Sequence, residues 1–419
     1  MSNSWCLTPL SKCLSKVIDY RGRTPKKLGH EWASAGYRAL SANNVKFSGL
    51  DKLDSINYAD EILYKKWMKE EVNRGDLLLT SEAPSGQVML WDSDEKIVLS
   101  QRLYALRTSS EIDPVFLKYF LQSPSGQKEI FRNNSGSTVA GISAKTFDNI
   151  FVRHPNEKDV QQELGRVLYA LDKKIDCNNR INAKLEAMAK TLYDYWFVQF
   201  DFPDANGKPY KSSGGKMVYN AILKREIPDR WRAFQLNDLF QIRTDSITSS
   251  DVGSDAIYTP IDSLPMKKMS FGVGQPSIDA NTSLILYKAN DILIGAMRVY
   301  FHRVCIAPFD GITRTTVLVL RPKEPNHLPY LYQVCNEDRT INVATKISVG
   351  TQQPYVNWED ALENYAIQHP DDDALIQKYS SKMVSVIREV INRERENAEL
   401  ARLRDWLLPM LMNGQVTVA

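Results

Sequence analysis

The chain has 419 residues, of which 43% are hydrophobic and 25% are charged, and its formal net charge is +3 at pH 7. This length exceeds the size at which one hydrophobic core usually stops growing, so we expect two or more domains. The composition is typical of a globular protein and does not favour a disordered chain. No apolar run approaches eighteen residues, and the N-terminus lacks the basic start and long apolar stretch of a signal peptide, so we expect a cytoplasmic protein.

The first fifty residues carry a local excess of positive charge. They hold eight Lys and Arg against Asp19 and Glu31, which gives this segment a charge of +6. A polyanion-binding surface needs such a patch, because neutralising phosphates releases condensed counterions. A solvated basic face is the alternative interpretation. The basic residues are Lys12, Lys16, Arg21, Arg23, Lys26, Lys27, Arg38 and Lys46.

Short β-type runs dominate the segment that follows. DLLLT at 76–80, VMLW at 88–91, KIVLS at 96–100 and LYALR at 103–107 are each bounded by polar or turn residues. Residues 1–157 are therefore predicted to form a first globular domain of mixed α and β structure.

A long helix is predicted next, over residues 158–200. Its apolar residues recur at alternating spacings of three and four, from Leu164 to Leu192, and polar Asn178 and Asn182 interrupt the series near its centre. A polar residue in an apolar seam fixes the register and the partner of a helix, because slippage would strand it against hydrocarbon.

A connector and a second domain follow the helix. Pro203, Gly207, Pro209 and the SSGG at 212–215 indicate a linker, and IPDRW at 227–231 begins new globular sequence. β-type runs then return, and residues 201–372 are predicted to contain the linker and the second domain. These runs are LILY at 284–287, DILIG at 291–295, RVCIA at 303–307 and TVLVLR at 316–321.

The second half of the chain repeats the first at an offset of 215 residues. GDLLL at 75–79 matches NDILI at 290–294, and the His154–Pro155 pair matches His369–Pro370. NAKL at 182–185 likewise matches NAEL at 397–400. Near the start of the two halves, the repeats align at an offset of 226 residues instead. Three separated matches at one offset predict a duplicated architecture.

The repeat also predicts a second long helix, over residues 373–419, that pairs with the first. We expect an α+β fold with a pseudo-twofold internal repeat: two globular α/β domains separated by two long antiparallel coiled-coil helices. The alternative is that each helix packs on its own domain as an ordinary amphipathic helix. The predicted seam consists of Leu171, Ile175, Asn178, Asn182 and Leu185 with Val386, Val390, Arg393, Asn397 and Leu400.

Catalytic motifs are missing from the sequence. It contains no G-x-x-x-x-G-K-[ST] phosphate loop, no Pro-Pro-aromatic motif of a DNA amino-methyltransferase and no Glu-x-Lys element of a nuclease. The five histidines are isolated, and the five cysteines form no CxxC pair, so we expect no metal site and free, buried thiols. We therefore expect a chain that is not an enzyme by itself.

Several segments resemble the specificity subunit of Type I DNA restriction-modification systems. NAKLEAMAKTLYDYWFVQFDFP at 182–203 is similar to the central region of that family, and NAELARLRDWLLPMLMNGQV at 397–416 to its C-terminal region. The second domain departs from the family pattern at 292–304 and 345–362. Three elements resemble the first target-recognition domain, namely RGRTP at 21–25, GDLLLTSEAPSGQV at 75–88 and STVAGISAKTFDNI at 137–150.

This resemblance implies a non-catalytic reader of double-stranded DNA. Each target-recognition domain would read one half of a split, asymmetric sequence, and the helices would hold the domains apart. The partners implied are two methyltransferase subunits that use S-adenosylmethionine and motor-nuclease restriction subunits that use ATP and Mg²⁺. Two alternatives remain open: the recognition chain of a Type II-like restriction enzyme, and a two-domain scaffold without a nucleic-acid role.

Candidate functional residues fall into two groups, and for each member a purely structural or solvated role is the alternative. Basic residues would contact phosphates, and Asn or Gln would read adenine edges. The aromatic candidates for methyltransferase docking are Tyr193, Trp196, Phe197, Phe200 and Trp406. The DNA-binding candidates are Arg21, Arg23, Lys26, Lys27, Asn43, Asn44, Lys46, Arg102 and Lys145, followed by Lys267, Lys268, Arg298, Arg303, Arg314, Lys346, Gln352 and Gln353.

Overall fold

The computed structural model describes residues 4–132, 141–248, 252–253, 255–276 and 283–416. Residues 137–140 of the predicted STVAGISAK element lie outside the described residues. The chain divides into two compact units, which we call unit 1 (Met1–Lys174 with Leu400–Ala419) and unit 2 (Ile175–Glu399). The boundaries between the two units fall inside both long helices. The domain boundaries predicted at residues 157, 200 and 372 remain predictions.

Unit 1 is built from short strands followed by helices. The strands are β1 (Trp5–Pro9), β2 (Leu14–Asp19), β3 (Tyr37–Leu40), β4 (Val45–Lys46), β5 (Gly49–Leu50), β6 (Asn57–Ala59), β7 (Leu77–Thr80), β8 (Val88–Leu90), β9 (Val98–Leu99), β10 (Leu103–Thr108) and β11 (Phe151–Pro155). The helices are α1 (Leu10–Cys13), α2 (Glu61–Trp67), α3 (Pro114–Gln122), α4 (Pro124–Arg132) and α5 (Lys158–Tyr193), which leaves unit 1 after Lys174.

A four-stranded antiparallel sheet, in the order β2-β10-β7-β8, separates two cores of unit 1. Leu77 and Leu79 of β7 face the core that contains α3, whereas Leu78 faces the core beneath the three-stranded sheet β6-β3-β9. Successive side chains of a strand point to opposite faces, so a strand buried on both faces must be apolar throughout. The position of β7 between the two cores therefore explains the apolar run in its sequence, DLLLT.

Two interactions fix the helices of unit 1. The carboxylate of Asp113 caps α3 by accepting a 2.9 Å hydrogen bond from the amide of Phe116. Asp172 of α5 accepts hydrogen bonds from Lys118 Nζ at 2.7 Å and from Arg404 Nη1 at 2.9 Å. Because Arg404 belongs to the C-terminal helix, this buried charge cluster fastens the end of that helix into unit 1.

Unit 2 contains the remaining elements. Its strands are β12 (Met217–Asn220), β13 (Arg225–Pro228), β14 (Trp231–Gln235), β15 (Phe240–Ile242), β16 (Ser246–Ile247), β17 (Ile257–Tyr258), β18 (Gln275–Pro276), β19 (Leu284–Tyr287), β20 (Ile292–Gly295), β21 (Val304–Ile306), β22 (Gly311–Arg314), β23 (Val317–Pro322) and β24 (Ala366–Pro370). Its helices are α6 (Leu236–Leu239), α7 (Leu328–Asn336), α8 (Asp338–Ile347) and α9 (Ala374–Met412), which continues into unit 1 after Glu399.

The predicted duplication is confirmed for one four-stranded sheet and one pair of strands in each unit. The sheet β15-β23-β20-β21 of unit 2 has the order of β2-β10-β7-β8 in unit 1, and the pair β14-β24 corresponds to β1-β11. A buried carboxylate occupies the same place in both sheets. Asp76 accepts bonds from Arg107 Nε and Nη2, each 2.9 Å long, and Asp291 accepts the equivalent bonds from Arg321 at 2.7 and 2.8 Å.

The two units differ in the sheet that accompanies this shared core. Unit 1 has the three-stranded sheet β6-β3-β9, whereas unit 2 has a five-stranded sheet in the order β16-β19-β22-β17-β18. Each unit therefore combines a common frame with a sheet of its own.

Within unit 2 the long helices pack antiparallel through a polar seam, as predicted. Asn178 Nδ2 donates to Asn397 Oδ1 at 2.9 Å, and Asn182 Nδ2 donates to Glu394 Oε1 at 3.0 Å. Arg393, the repeat equivalent of Asn178, pairs instead with Glu389 of its own helix at 2.8 Å.

The apolar residues of the predicted seam are buried to different degrees. Val390 is fully buried, whereas five apolar positions are partly buried. These five are Leu171, Ile175, Leu185, Val386 and Leu400. In the part of the chain that the structure describes, no helix combines the length and the apolar character needed to span a bilayer.

Candidate nucleic-acid interface

A loop between two strands of the shared sheet defines one edge of unit 1. The loop follows β7, and backbone hydrogen bonds hold it between two neighbouring segments. The amide of Ser81 donates to the carbonyl of Arg102 at 2.9 Å, and the amide of Ile142 donates to the carbonyl of Ser81 at 2.9 Å. We call residues 81–86, 101–102 and 141–145 edge 1.

Three of the predicted basic residues meet at edge 1. Arg21 Nη1 donates to the carbonyl of Ile142 at 3.3 Å, which brings β2 to this loop. Its guanidinium also makes two 2.9 Å bonds to Asp19. The exposed Arg102 pairs with Glu82 at 3.3 Å. Lys145 is exposed and completes the basic side of the edge.

Unit 2 carries the equivalent edge with the same backbone bonds. The amide of Ala296 donates to the carbonyl of Thr316 at 2.9 Å, and the amide of Val356 donates to the carbonyl of Ala296 at 3.0 Å. The loop backbone is left-handed at equivalent positions, with φ of 47° at Ala83 and 52° at Arg298. We call residues 296–302, 314–316 and 349–356 edge 2.

Edge 2 collects a different set of predicted side chains. Arg298 Nη2 donates to the carbonyl of Gln352 at 3.2 Å, so the arginine ties the 349–356 loop to the hairpin loop. The side chains of Gln352 and Gln353 are exposed beside it, and exposed Arg314 ends β22 within the edge. The two edges thus share a backbone frame and differ in the polar groups that they present.

Sequence reasoning missed two aromatic residues of edge 2. The side chain of Tyr300 is 49% exposed and that of Phe301 is 39% exposed, and the two rings lie 5.0 Å apart. They take the place of Ser85 and Gly86 in the loop of unit 1. Aligning ILIGAMRVYF with LLLTSEAPSG at the offset of 215 would have identified them as loop residues of the duplicated edge.

Several predicted contacts have structural roles in their unit. Asn44 is buried: its Oδ1 accepts from the amide of Ser41, and its Nδ2 donates to the carbonyls of Asp51 and Lys52. Arg303 Nη1 donates to backbone carbonyls of the 261–264 turn, at 3.0 Å for Ile261. The hydrogen-bonding groups of these two side chains thus hold loops of their own unit.

The remaining candidates near the N-terminus lie around the turn after β2. Arg23 Nη1 donates to the carbonyl of Trp67 at 2.6 Å, and Lys27 Nζ donates to the carbonyl of Gly22 at 2.7 Å. Lys26 and Asn43 are exposed, and Lys46 is partly exposed.

Two further predicted lysines lie within the 261–271 segment of unit 2. The amide of Lys267 donates to the carbonyl of His302 at 2.8 Å, which places Lys267 beside the loop of edge 2. The Nζ atom of Lys268 lies 3.8 Å from Oε1 of Glu394 in α9. Lys346 is exposed in the last turn of α8. The side chains of Lys145, Lys267, Arg314 and Lys346 make no hydrogen bond or ion pair with another described residue.

The proposed aromatic docking surface requires a correction. Tyr193, Trp196, Phe197 and Phe200 are each 4% exposed or less, because they pack in the core of unit 2 where α5 ends. The ring centroids of Phe197 and Tyr330, for example, are 4.7 Å apart. Burial, the alternative interpretation, therefore holds for these four side chains. Trp406 alone of the set is exposed, at 63%.

Comparisons with known proteins agree with the duplicated frame. A family model described as "Type I restriction modification DNA specificity domain" matches the chain twice, over residues 11–187 and 228–402. The Type I restriction enzyme MjaIX specificity subunit of Methanocaldococcus jannaschii is 24% identical over 357 residues, which cover 82% of this chain and 78% of that protein. The HindI specificity subunit of Haemophilus influenzae is 22% identical over 413 residues, with coverage of 83% and 88%.

A solved structure shows the same fold over the whole length. The S subunit of a Type-I restriction-modification system from M. genitalium has a TM-score of 0.56 at 16% identity, and the match covers 98% of this chain and 96% of that one. At this identity the likeness concerns the fold alone.

Proposed function

This chain belongs to the Type I restriction modification DNA specificity family, and we propose that it is the DNA-reading subunit of a Type I restriction-modification complex. The observation that carries the proposal is the pair of equivalent edges. Ser81 and Ala296 hold the same place in the same backbone network, but the side chains around them differ. A duplicated frame with different exposed groups suits two reading heads for the two unlike halves of a split sequence.

In this proposal the exposed cations contact phosphates and the exposed amides read bases. Lys145 at edge 1 and Arg314 at edge 2 are long, solvent-facing and unpaired among the described residues, so they lose little on meeting phosphate oxygens. Gln352 and Gln353 offer the donor and acceptor pair that matches the N6 and N7 edge of adenine in the major groove. Asn43 is the exposed amide that we propose for unit 1.

The exposed aromatic pair of edge 2 adds a second mode of contact. Tyr300 and Phe301 offer ring faces to solvent beside Arg298. Such rings stack on unpaired bases or wedge between base steps when a protein bends DNA. A methyltransferase partner must extrude its target base from the duplex, so a stacking platform in the reading subunit suits that step.

Catalysis is assigned to other subunits. The chain lacks the sequence motifs of a methyltransferase and of a nuclease, and we propose two methyltransferase subunits that supply S-adenosylmethionine chemistry and motor-nuclease subunits that supply ATP- and Mg²⁺-dependent cleavage. The exposed Trp406 on α9 is our candidate for the docking of a partner, since large exposed aromatic side chains are enriched at protein interfaces.

Salt-dependent DNA binding tests the proposal. The purified chain, with its methyltransferase partner, is titrated with fluorescent duplex DNA at several salt concentrations. Replacing Lys145 of edge 1 and Arg314 of edge 2 by alanine is expected to lower the slope of log K against log salt by about 0.9 for each phosphate that the variant no longer neutralises. Lys184→Ala, an exposed lysine of α5 outside both edges, is the matched control. A slope that Lys184→Ala lowers as much as the edge variants do would refute the assignment.

A further inference from the structure

Two histidines and an aspartate that are far apart in sequence meet in unit 2. His369 lies in β24, His327 immediately precedes α7 and Asp373 immediately precedes α9. The potential ligand atoms of the three side chains all lie within 4.8 Å of one another. His327 Nε2 is 3.4 Å from Asp373 Oδ1. The fold therefore assembles two imidazoles and one carboxylate at the point where a strand and two helices begin or end.

The hydrogen bonds of His369 leave one ring nitrogen available as a ligand. His369 Nδ1 lies 2.6 Å from the carbonyl oxygen of Pro370, and because a carbonyl only accepts, Nδ1 must carry the proton. Nε2 then carries a lone pair. This nitrogen is buried and has no hydrogen-bond partner among the described residues, and the side chain is 4% exposed. Metal-ligating histidines have the same arrangement, in which the second nitrogen donates to a backbone carbonyl.

The equivalent histidine of unit 1 shows that the fold does not require this arrangement. His154 Nδ1 also lies close to the following proline carbonyl, at 2.8 Å, but its Nε2 is 3.0 Å from Thr8 Oγ1. The residue equivalent to Thr8 at the offset of 226 is Phe234, whose ring lies 4.7 Å from that of His369 and offers no hydrogen-bonding group. Unit 2 thus lacks the hydroxyl that satisfies the histidine in unit 1.

Unit 2 has additional potential ligands at the same place. The offset between α3 and α7 is 214 residues. At this offset, the unit 2 residue equivalent to Asp113, which caps α3 in unit 1, is His327. Lys158, at the start of α5, is replaced by Asp373 at the offset of 215. One repeat therefore carries an ordinary capped helix and a satisfied histidine. The other carries a histidine with a partnerless ring nitrogen, and the ring of this histidine lies 5.9 Å from that of His327, with Asp373 in the same cluster.

We propose that His327, His369 and Asp373 bind a divalent transition-metal ion, of which zinc is the best match. Imidazole and carboxylate ligands suit zinc, and bond lengths of about 2.0–2.1 Å in a tetrahedral site separate neighbouring ligand atoms by about 3.4 Å. The 3.4 Å between His327 and Asp373 already has this value. The widest separation between two of the three ligand atoms is at most 4.8 Å. It must therefore shorten by up to about 1.4 Å for all three atoms to bind one ion.

The position of the site indicates its role and its route of entry. The carboxylate of Asp373 is 48% exposed, whereas both imidazoles are nearly buried, so the ion enters from the solvent side past the aspartate. A bound ion joins the end of β24 to the starts of α7 and α9. It therefore fastens the first turn of the long C-terminal helix to the frame of unit 2.

Zinc binding to the full chain tests this proposal. The chain is stripped with a chelator, titrated with zinc in competition with a chromophoric chelator, and examined by visible absorption after cobalt(II) substitution. We expect one ion per chain and a tetrahedral cobalt spectrum. Asp373→Asn and His327→Gln should lower the affinity at least about 100-fold, since removal of a ligand costs more than the 10- to 100-fold loss seen for outer partners.

Two controls keep the test decisive. Asp371→Asn removes a neighbouring exposed carboxylate that pairs with Arg232, and it should leave zinc affinity unchanged. Asp373 is half-exposed, so Asp373→Asn should keep the fold, which circular dichroism checks. A folded chain that binds no zinc, or an affinity that Asp371→Asn reduces as much as Asp373→Asn does, would overturn the proposal and leave only a polar contact between His327 and Asp373.

Discussion

Replacing Asn397 by leucine should destabilise the protein, although it adds apolar volume to a helix seam. Asn397 is 8% exposed, its Oδ1 accepts the 2.9 Å bond from Asn178 Nδ2, and its own Nδ2 donates to Asn179 Oδ1 at 3.1 Å. Leucine removes one acceptor and one donor. It leaves a proton of the buried Asn178 amide without this partner, while the other still donates to Glu396 at 2.7 Å.

The size of the effect follows from these hydrogen bonds. Leaving a buried polar group unsatisfied costs about 1–3 kcal/mol, and the apolar gain of leucine offsets part of this cost. We expect the free energy of unfolding of unit 2 to fall by about 1–2 kcal/mol. Replacing Asn178 by leucine as well removes both buried amides, so the double variant should return to within about 1 kcal/mol of the wild type.

Chemical denaturation of the four proteins in a double-mutant cycle measures this coupling. Lys184→Leu, which adds leucine to the exposed face of α5, controls for a general effect of the substitution. Hydrogen exchange assigns the transition to unit 2. A double variant whose loss of stability equals the sum of the two single losses would contradict this prediction, because the two asparagines would then not satisfy each other.

Two further predictions concern buried carboxylates of unit 2, and the second compares one of them with its equivalent in unit 1. Burial raises the pKa of Glu186 to about 7, partly opposed by the hydrogen bond from the Met269 amide. The folded state therefore holds a proton that the unfolded state releases near pH 4.5, so stability should fall as pH rises from about 4.5 to about 7. Glu186→Gln should remove that dependence and add about 1–3 kcal/mol at pH 8 in denaturation curves, and an unchanged pH profile would contradict it. Asp291→Asn should lower the free energy of unfolding by about 2–3 kcal/mol in calorimetry, because the partly buried Arg321 guanidinium loses its ionic partner and one of its two bonds, the asparagine amide keeping a single acceptor oxygen. Asp76→Asn should lower the free energy of unfolding less, since Arg107 keeps its 2.9 Å hydrogen bond to Glu70. Equal losses for the two variants would contradict this explanation.

The repeated core could be predicted from the sequence because its strands are buried on both faces. Such strands must be apolar throughout, so DLLLT and DILIG are recognisable as continuous apolar runs and fix the offset of 215 residues. The polar seam was also predictable, because Asn178 and Asn397 interrupt otherwise apolar helical series. In both cases the local sequence pattern and the place of the residue in the fold require the same type of residue.

The sheet peculiar to unit 2 could not be predicted in this way. Three of its strands, Ser246–Ile247, Ile257–Tyr258 and Gln275–Pro276, are two residues long and too short to show a period. Roles of single side chains were equally hidden. Arg303 has the same charge as Arg314, but backbone carbonyls surround the first and solvent surrounds the second, which depends on neighbours distant in sequence.

The most direct test of two reading heads is the methylation pattern that the chain produces. Cells that express it with its methyltransferase partner are sequenced for modified adenine, with the wild type and with a Gln352→Ala/Gln353→Ala variant of edge 2. We predict one split motif for the wild type, and for the variant a relaxed preference in one half-site while the other half-site and the gap between them stay the same. A variant that alters both half-sites together, or a wild-type motif that is not split, would contradict the assignment of one half-site to each unit.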